Sequence, residues 1–172
     1  NDASALGGGI VLAGESRLER VRVVNNFSIV DGGGVVVDHA TGQSAILRSE
    51  ISGNQAIGKG GGVHAINGDL DIANTTITNN DASAGGGLYV AADADVIAVN
   101  ISLIGNLGGQ DLHKYGQLTL GNSIISTPGQ DDCTMGLDNP TIITQGHNLA
   151  SDNSCLGLND PTDRINTDPG LG

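Results

Sequence analysis

The chain has 172 residues and a formal charge of −12, from seven basic and nineteen acidic side chains, and its aromatic residues are Phe27, Tyr89 and Tyr115. So acidic a surface repels nucleic acid and anionic lipid; no apolar run reaches membrane-spanning length, and the 28 glycines keep no strict third-residue period, which excludes collagen. A core with so few aromatic rings must be filled by small branched side chains in thin, repeated layers.

In chain order the layers announce themselves early. Residues 1–9 read NDASALGGG, nearly the same as NDASAGGG at 80–87. Asn1 thus falls on the asparagine position of a repeat. The chain is expected to start part-way round a coil, as a piece of a longer solenoid whose uncovered end favours end-to-end self-association. A glycine triplet and an apolar residue recur as GGGI from Gly7, GGGV from Gly32, GGGV from Gly60 and GGGL from Gly85. Between them come VRVVNN (21–26), SEISGN (49–54), TTITNN (75–80) and ISLIGN (101–106), with a degenerate fifth copy, SIISTP, at 123–128. Three positions before each final asparagine stands Val23, Ile51, Ile77, Leu103 and then Ile125. A polar column, Arg22, Glu50, Thr76 and Ser102, sits one residue earlier, so the segments alternate as strands with one buried face. Two further apolar columns follow the same period: Leu18, Ile46, Ile72, Ala98, Leu120, and Ile10, Val35, Val63, Leu88.

No stretch shows a helical period. A unit of about 25 residues cannot bury its own apolar face, but stacked units can. The expected fold is therefore all-β: a right-handed parallel β-helix over residues 1–126, followed by an irregular segment, 127–172, that packs on or caps its end. Glycines at Gly32, Gly60 and Gly85 and asparagines at Asn26, Asn54, Asn80 and Asn106 are read as corners. Both residue types tolerate the left-handed backbone, and asparagine can bond its counterpart one coil away. His64, inside an alternating strand, is expected to face outward.

The pairing of [VIL]-x-x-N with GGG-[IVL] (VVNN, ISGN, ITNN and LIGN; GGGI, GGGV and GGGL) resembles the repeat of the polymorphic outer membrane proteins. Those are secreted passengers built from F-x-x-N and G-G-A-[ILV] motifs on β-helices; here aliphatics stand for the Phe and Gly for the Ala. From 121 onward, NSII, GHNL, a cysteine pair and DPGLG are together similar to the closing segment of choice-of-anchor bacterial surface β-helix proteins. The resemblance implies secretion or display at a bacterial cell surface, associated with the outer membrane, with a surface glycan or protein as partner and no established reaction.

Cys133 and Cys155 are too few for a structural zinc site. A disulfide in an oxidising compartment is the expectation, with two buried thiols as the alternative. No catalytic set and no resident metal are expected. Asp69 and Asp71, with Asp93 and Asp95, form acidic pairs near neighbouring corners and are the candidate Ca²⁺ ligands. Arg20, Arg48, Asn74 and Asn100 share one outward column, a candidate stripe for a ligand. Because β-helices host polysaccharide lyases and hydrolases, the alternative is a carbohydrate-active enzyme; Asp131-Asp132, GHN (146–148), RIN (164–166) and NTD (166–168) are the strings that invite it.

Overall fold

The structure, a computed structural model, describes residues 2–3, 6–138 and 141–171; Asn1 lies outside them, and with it the expected asparagine position there. Among the described residues all regular structure is β, and parallel strands stack into a solenoid of about five turns. The largest sheet joins nine strands. Its long members, Val35–Leu47, Val63–Ala73 and Leu88–Val99, each bend through most of one wall of a coil. A second sheet of six short strands runs from Arg22–Val24 through Glu50–Ser52, Thr76–Thr78, Ser102–Ile104 and Ile124–Ser126 to Leu149–Ala150. A third pairs Asp2–Ala3, Phe27–Ser28 and Gln55–Ala56.

The expected columns are the register. Val23, Ile51, Ile77, Leu103 and Ile125 lie opposite one another in succession, and Ala150 continues the file. Leu18, Ile46, Ile72, Ala98 and Leu120 form another file, and Ile10, Val35, Val63, Leu88, Leu112 and Cys133 a third. Their inner members have essentially no exposed surface and make one continuous hydrophobic cluster. At about 25 cal/mol per Å² of apolar area removed from water, this cluster is the main stabilising term.

The asparagine column differs from expectation in one respect. The left-handed residue is not Asn26, Asn54, Asn80 or Asn106 but the residue before each: Asn25 (φ 55), Gly53 (φ 64), Asn79 (φ 54) and Gly105 (φ 63). That residue turns the chain so that the next side chain points into the wall. There the asparagines form an amide ladder. Asn26 donates its backbone N–H (3.0 Å) and Nδ2 (2.9 Å) to Oδ1 of Asn54. Asn54 does the same to Asn80, and Asn80 to Asn106. The remaining Nδ2 hydrogens of Asn54, Asn80 and Asn106 go to the carbonyls of Val23, Ile51 and Ile77. Buried amides are tolerable because both donors and the acceptor are used.

The glycine triplets have two separate causes. The first glycine is left-handed, as at Gly32 (φ 69), and a Cβ there would collide with the side chain of Val36 four residues on, 2.0 Å away. The third glycine leaves room for the ladder: a Cβ on Gly34, Gly62 or Gly87 would stand 3.0, 2.9 or 2.8 Å from the Nδ2 of Asn54, Asn80 or Asn106. In the later coils this third position is aspartate. Asp111 and Asp132 directly precede Leu112 and Cys133, which are register partners, as Gly87 precedes Leu88. The Asp111 carboxylate accepts from both N–H (2.9 Å) and Nδ2 of Asn106, taking the place of the next asparagine.

Strands do not stop at 126. Cys133–Met135, Ile143–Thr144 and Leu149–Ala150 each add a strand to an existing sheet, and Arg164 bridges to Leu149 beyond them. The irregular part of the C-terminal segment is what lies between these rungs. Cys133 and Cys155 are disulfide-bonded with Cα atoms 4.9 Å apart, both buried in the core cluster.

Candidate functional site

The corner column at Arg20, Arg48, Asn74 and Asn100 explains itself through the backbone. All four are left-handed (φ 52 to 56), and Asn122 (φ 48) and His147 (φ 60) extend the series. Arg48 is tied to Glu19 at 2.6 Å, and the amides of Asn100 and Asn122 reach back to Asn74 and Asn100. Beneath this column a second ladder runs inside the wall. The N–H of Val21 bonds the Ser49 hydroxyl, and those of Ile101 and Ser123 bond Ser123 Oγ and Asn148 Oδ1. The GHN string is therefore a corner, with His147 exposed and Asn148 buried as a ladder rung.

The acidic pairs lie on neighbouring coils rather than around one point. Asp69 stands opposite Asp95, Asp93 opposite Asn67, and Asp71 opposite Ile97. Amide side chains bracket them: Gln43 donates to Asp71 at 2.7 Å and Gln117 to Asp95 at 3.0 Å. Burial, then the charges of Asp69 and Asp71, raises the Asp95 pKa. Among the described residues no group of three or more His, Cys, Asp or Glu side chains is arranged to hold a metal ion.

His64 does face outward, as alternation requires, yet it is buried. The outward file runs Val36, His64, Tyr89 and His113, and its first three members pass under the turns at the left-handed Gly32, Gly60 and Gly85, where the missing Cβ of each glycine leaves room for the side chain. The rings pack against one another: His64 edge-on to Tyr89 at 5.0 Å, and His113 stacked on Tyr115 at 5.1 Å. Lys59 sits over the Tyr89 ring at 5.2 Å, and Asp31 Oδ2 is 3.9 Å from His64 Nδ1. Burial pushes the His64 pKa down to about 4, with Asp31 opposing and Lys59 assisting. Gly136 lies beside the Tyr115 ring, whose ring neighbours are His113 and Tyr89, and Tyr115 keeps 42 % of its surface exposed.

What remains is a cleft of about 1010 Å³ beside the last coils. One wall is the corner from Ser126 to Asp131, and the others come from Ser151, Asp152 and the stretch from Asp168 to Leu171. The structure thus brings together Asp131 and Asp168, from the DD and NTD strings, and adds Asp152, which sequence reasoning did not single out. Asp132 turns away: it has no exposed surface and accepts from Thr127 N–H, Ser151 N–H and Oγ, and Asp152 N–H. Asp152 has both oxygens engaged, one by Ser154 and one by the Asp132 N–H, and Asp168 accepts from the Gly170 N–H at 2.8 Å. Among the described lining residues there is no Lys, Arg or His to act as base toward a uronate. Arg164, from RIN, is spent on backbone carbonyls of Pro161 and Asp163.

Fold and site together define the class: a disulfide-bonded parallel β-solenoid with an acidic cleft beside its last coils. No family model, no curated protein and no solved structure matches the chain.

Proposed function

We propose that the chain is a non-catalytic segment of a secreted or cell-surface bacterial protein, a stalk or adhesive passenger of the autotransporter kind whose partner is a surface glycan or protein. The observation that carries this reading is the fate of its polar groups. The buried asparagine, serine and threonine side chains that recur from coil to coil bond their counterparts in the next coil or the backbone beside them, as the Asn26–Asn54–Asn80–Asn106 ladder does. The outward file Arg22, Glu50, Thr76, Ser102, Ile124 passes from cation to anion to hydroxyl to apolar within five rungs. A wall that repeats inside and varies outside is suited to spacing and display. The disulfide fits an oxidising exterior.

A second reading, a carbohydrate-active enzyme, is favoured by one observation, the convergence of Asp131, Asp152 and Asp168 on a single cleft. Inverting hydrolysis uses two carboxylates roughly 6.5–9.5 Å apart. A glycan-array and polysaccharide-cleavage screen separates the two. Binding without turnover is expected. Turnover that disappears in both Asp131→Asn and Asp168→Asn would overturn the display reading in favour of catalysis.

A further inference from the structure

Among the described residues two carboxylates have no exposed surface, Asp111 and Asp132, and they occupy the same column one coil apart. Among the described residues the groups that donate to them are neutral. Asp111 Oδ1 takes the N–H and Nδ2 of Asn106, and Asp132 takes the N–H of Thr127, the N–H and hydroxyl of Ser151 and the N–H of Asp152. Asp111 Oδ2 and Thr127 Oγ1 are both buried, and neither completes a well-aligned hydrogen bond. Among the described residues the charged group acting on Asp111 is Asp132, the one acting on Asp132 is Asp152, and neither carboxylate forms an ion pair; the buried Lys114, on the strand that follows Asp111, is not among the groups acting on them. Two like charges in one dry column repel, and burial opposes the ionised form of each. Burial accordingly pushes Asp111 up to about 6, against the pull of Thr127 and Asn106, and raises Asp132 as well.

We propose that Asp111 and Asp132 form a proton-operated latch on the last coils. Neutral, the two side chains prolong the amide column, and a protonated Oδ2 of Asp111 can donate to the Thr127 hydroxyl oxygen, reversing the pull that hydroxyl exerts on the ionised carboxylate. Ionised, they repel within the wall and loosen the segment that Thr127, Ser151 and Asp152 contribute to the cleft. The cleft is tight in mildly acidic surroundings and slack above neutrality.

Site-resolved amide hydrogen exchange on the intact, oxidised chain tests this, each rate divided by the intrinsic rate at the same pH. The Asn106, Thr127 and Ser151 amides, whose acceptors are carboxylates, are expected to lose about tenfold in protection between pH 5 and pH 8. Asn54 and Asn80, whose acceptors are amides, are expected to hold theirs. An equal change in both sets, or none in either, overturns the latch. In Asp111→Asn the pH dependence at Asn106 disappears; its persistence is equally fatal. Should that variant not fold, the carboxyl ¹³C titration of Asp111 in the wild-type chain decides: a midpoint above about 5 supports the latch, and one at or below it refutes it.

Discussion

The first coils and the last coils solve one packing problem with different chemistry. In the first, a glycine leaves the space and an asparagine one coil away supplies the acceptor, as Gly62 does for Asn80 and Gly87 for Asn106. In the last, aspartate stands in the glycine's place and its own carboxylate is the acceptor, as Asp111 is for Asn106. The first arrangement is blind to pH; the second is not. A ladder can therefore be ended without stranding its final donors, but its last rung acquires a titration.

Removing a middle rung should break the comparison most severely. Asn80→Ala strips the acceptor from Asn54 N–H and Nδ2 and the donor from the Ile51 carbonyl. With buried groups left unsatisfied at about 1–3 kcal/mol each, a loss of about 4 kcal/mol is expected, read as a lower urea midpoint. Filling the space comes next. Gly62→Ala drives a Cβ to 2.6 Å from the Gly87 carbonyl as well as against Asn80 Nδ2, an overpacking of about 1–3 kcal/mol by the same measurement. Acid unfolding then separates the two ionisable classes. His64 has a folded pKa below its ordinary value, so the stability it contributes is present above about pH 6.5 and is lost as pH falls through about 4. Asp111 has a raised one, so its contribution is present below about pH 4 and is lost as pH rises through about 6. His64→Phe keeps a ring against Tyr89, and the fall in melting temperature from pH 6.5 to pH 4 should become shallower. The smallest effect belongs to the surface. Glu50→Gln removes the exposed pair with Arg22, 2.7 Å apart, and should leave the urea midpoint unchanged, as exposed pairs usually do.

Legibility followed periodicity. The apolar files, the Arg22–Glu50 neighbours and the stacked asparagines could be read because like residues recur at one coil's spacing. The cleft could not, since Asp131, Asp152 and Asp168 recur in no column and meet through the path of the tail. Alternation placed His64 on the correct face but said nothing of the turn that covers it; the sign was Gly60, four residues earlier, whose absent side chain makes a seat for the ring. The aspartates at 111 and 132 were hidden for a related reason. QDLHKY and DDCTMG do not look like GGGLYV, and only register shows Asp111 and Asp132 in the third-glycine position. The asparagine corners were displaced by one residue because a left-handed backbone and an inward amide are demands on adjacent positions, and NN or GN satisfies both at once.

One irregularity has consequences for how such a wall could grow. Between Val37 and Gln43 the register slips, and the surplus residues from His39 to Gly42 are pushed out sideways while Val35–Val37 and Ala45–Leu47 keep their partners above and below. The bulge is pinned at its base, where His39 Nε2 and Ser44 Oγ lie 3.0 Å apart. Extra sequence is thus confined to one bend, where it meets Gly68 of the following coil and Glu15 of the preceding one, and the paired strands on either side keep their register. That bend is the natural graft point: cargo could be spliced there without the rest of the tube having to readjust.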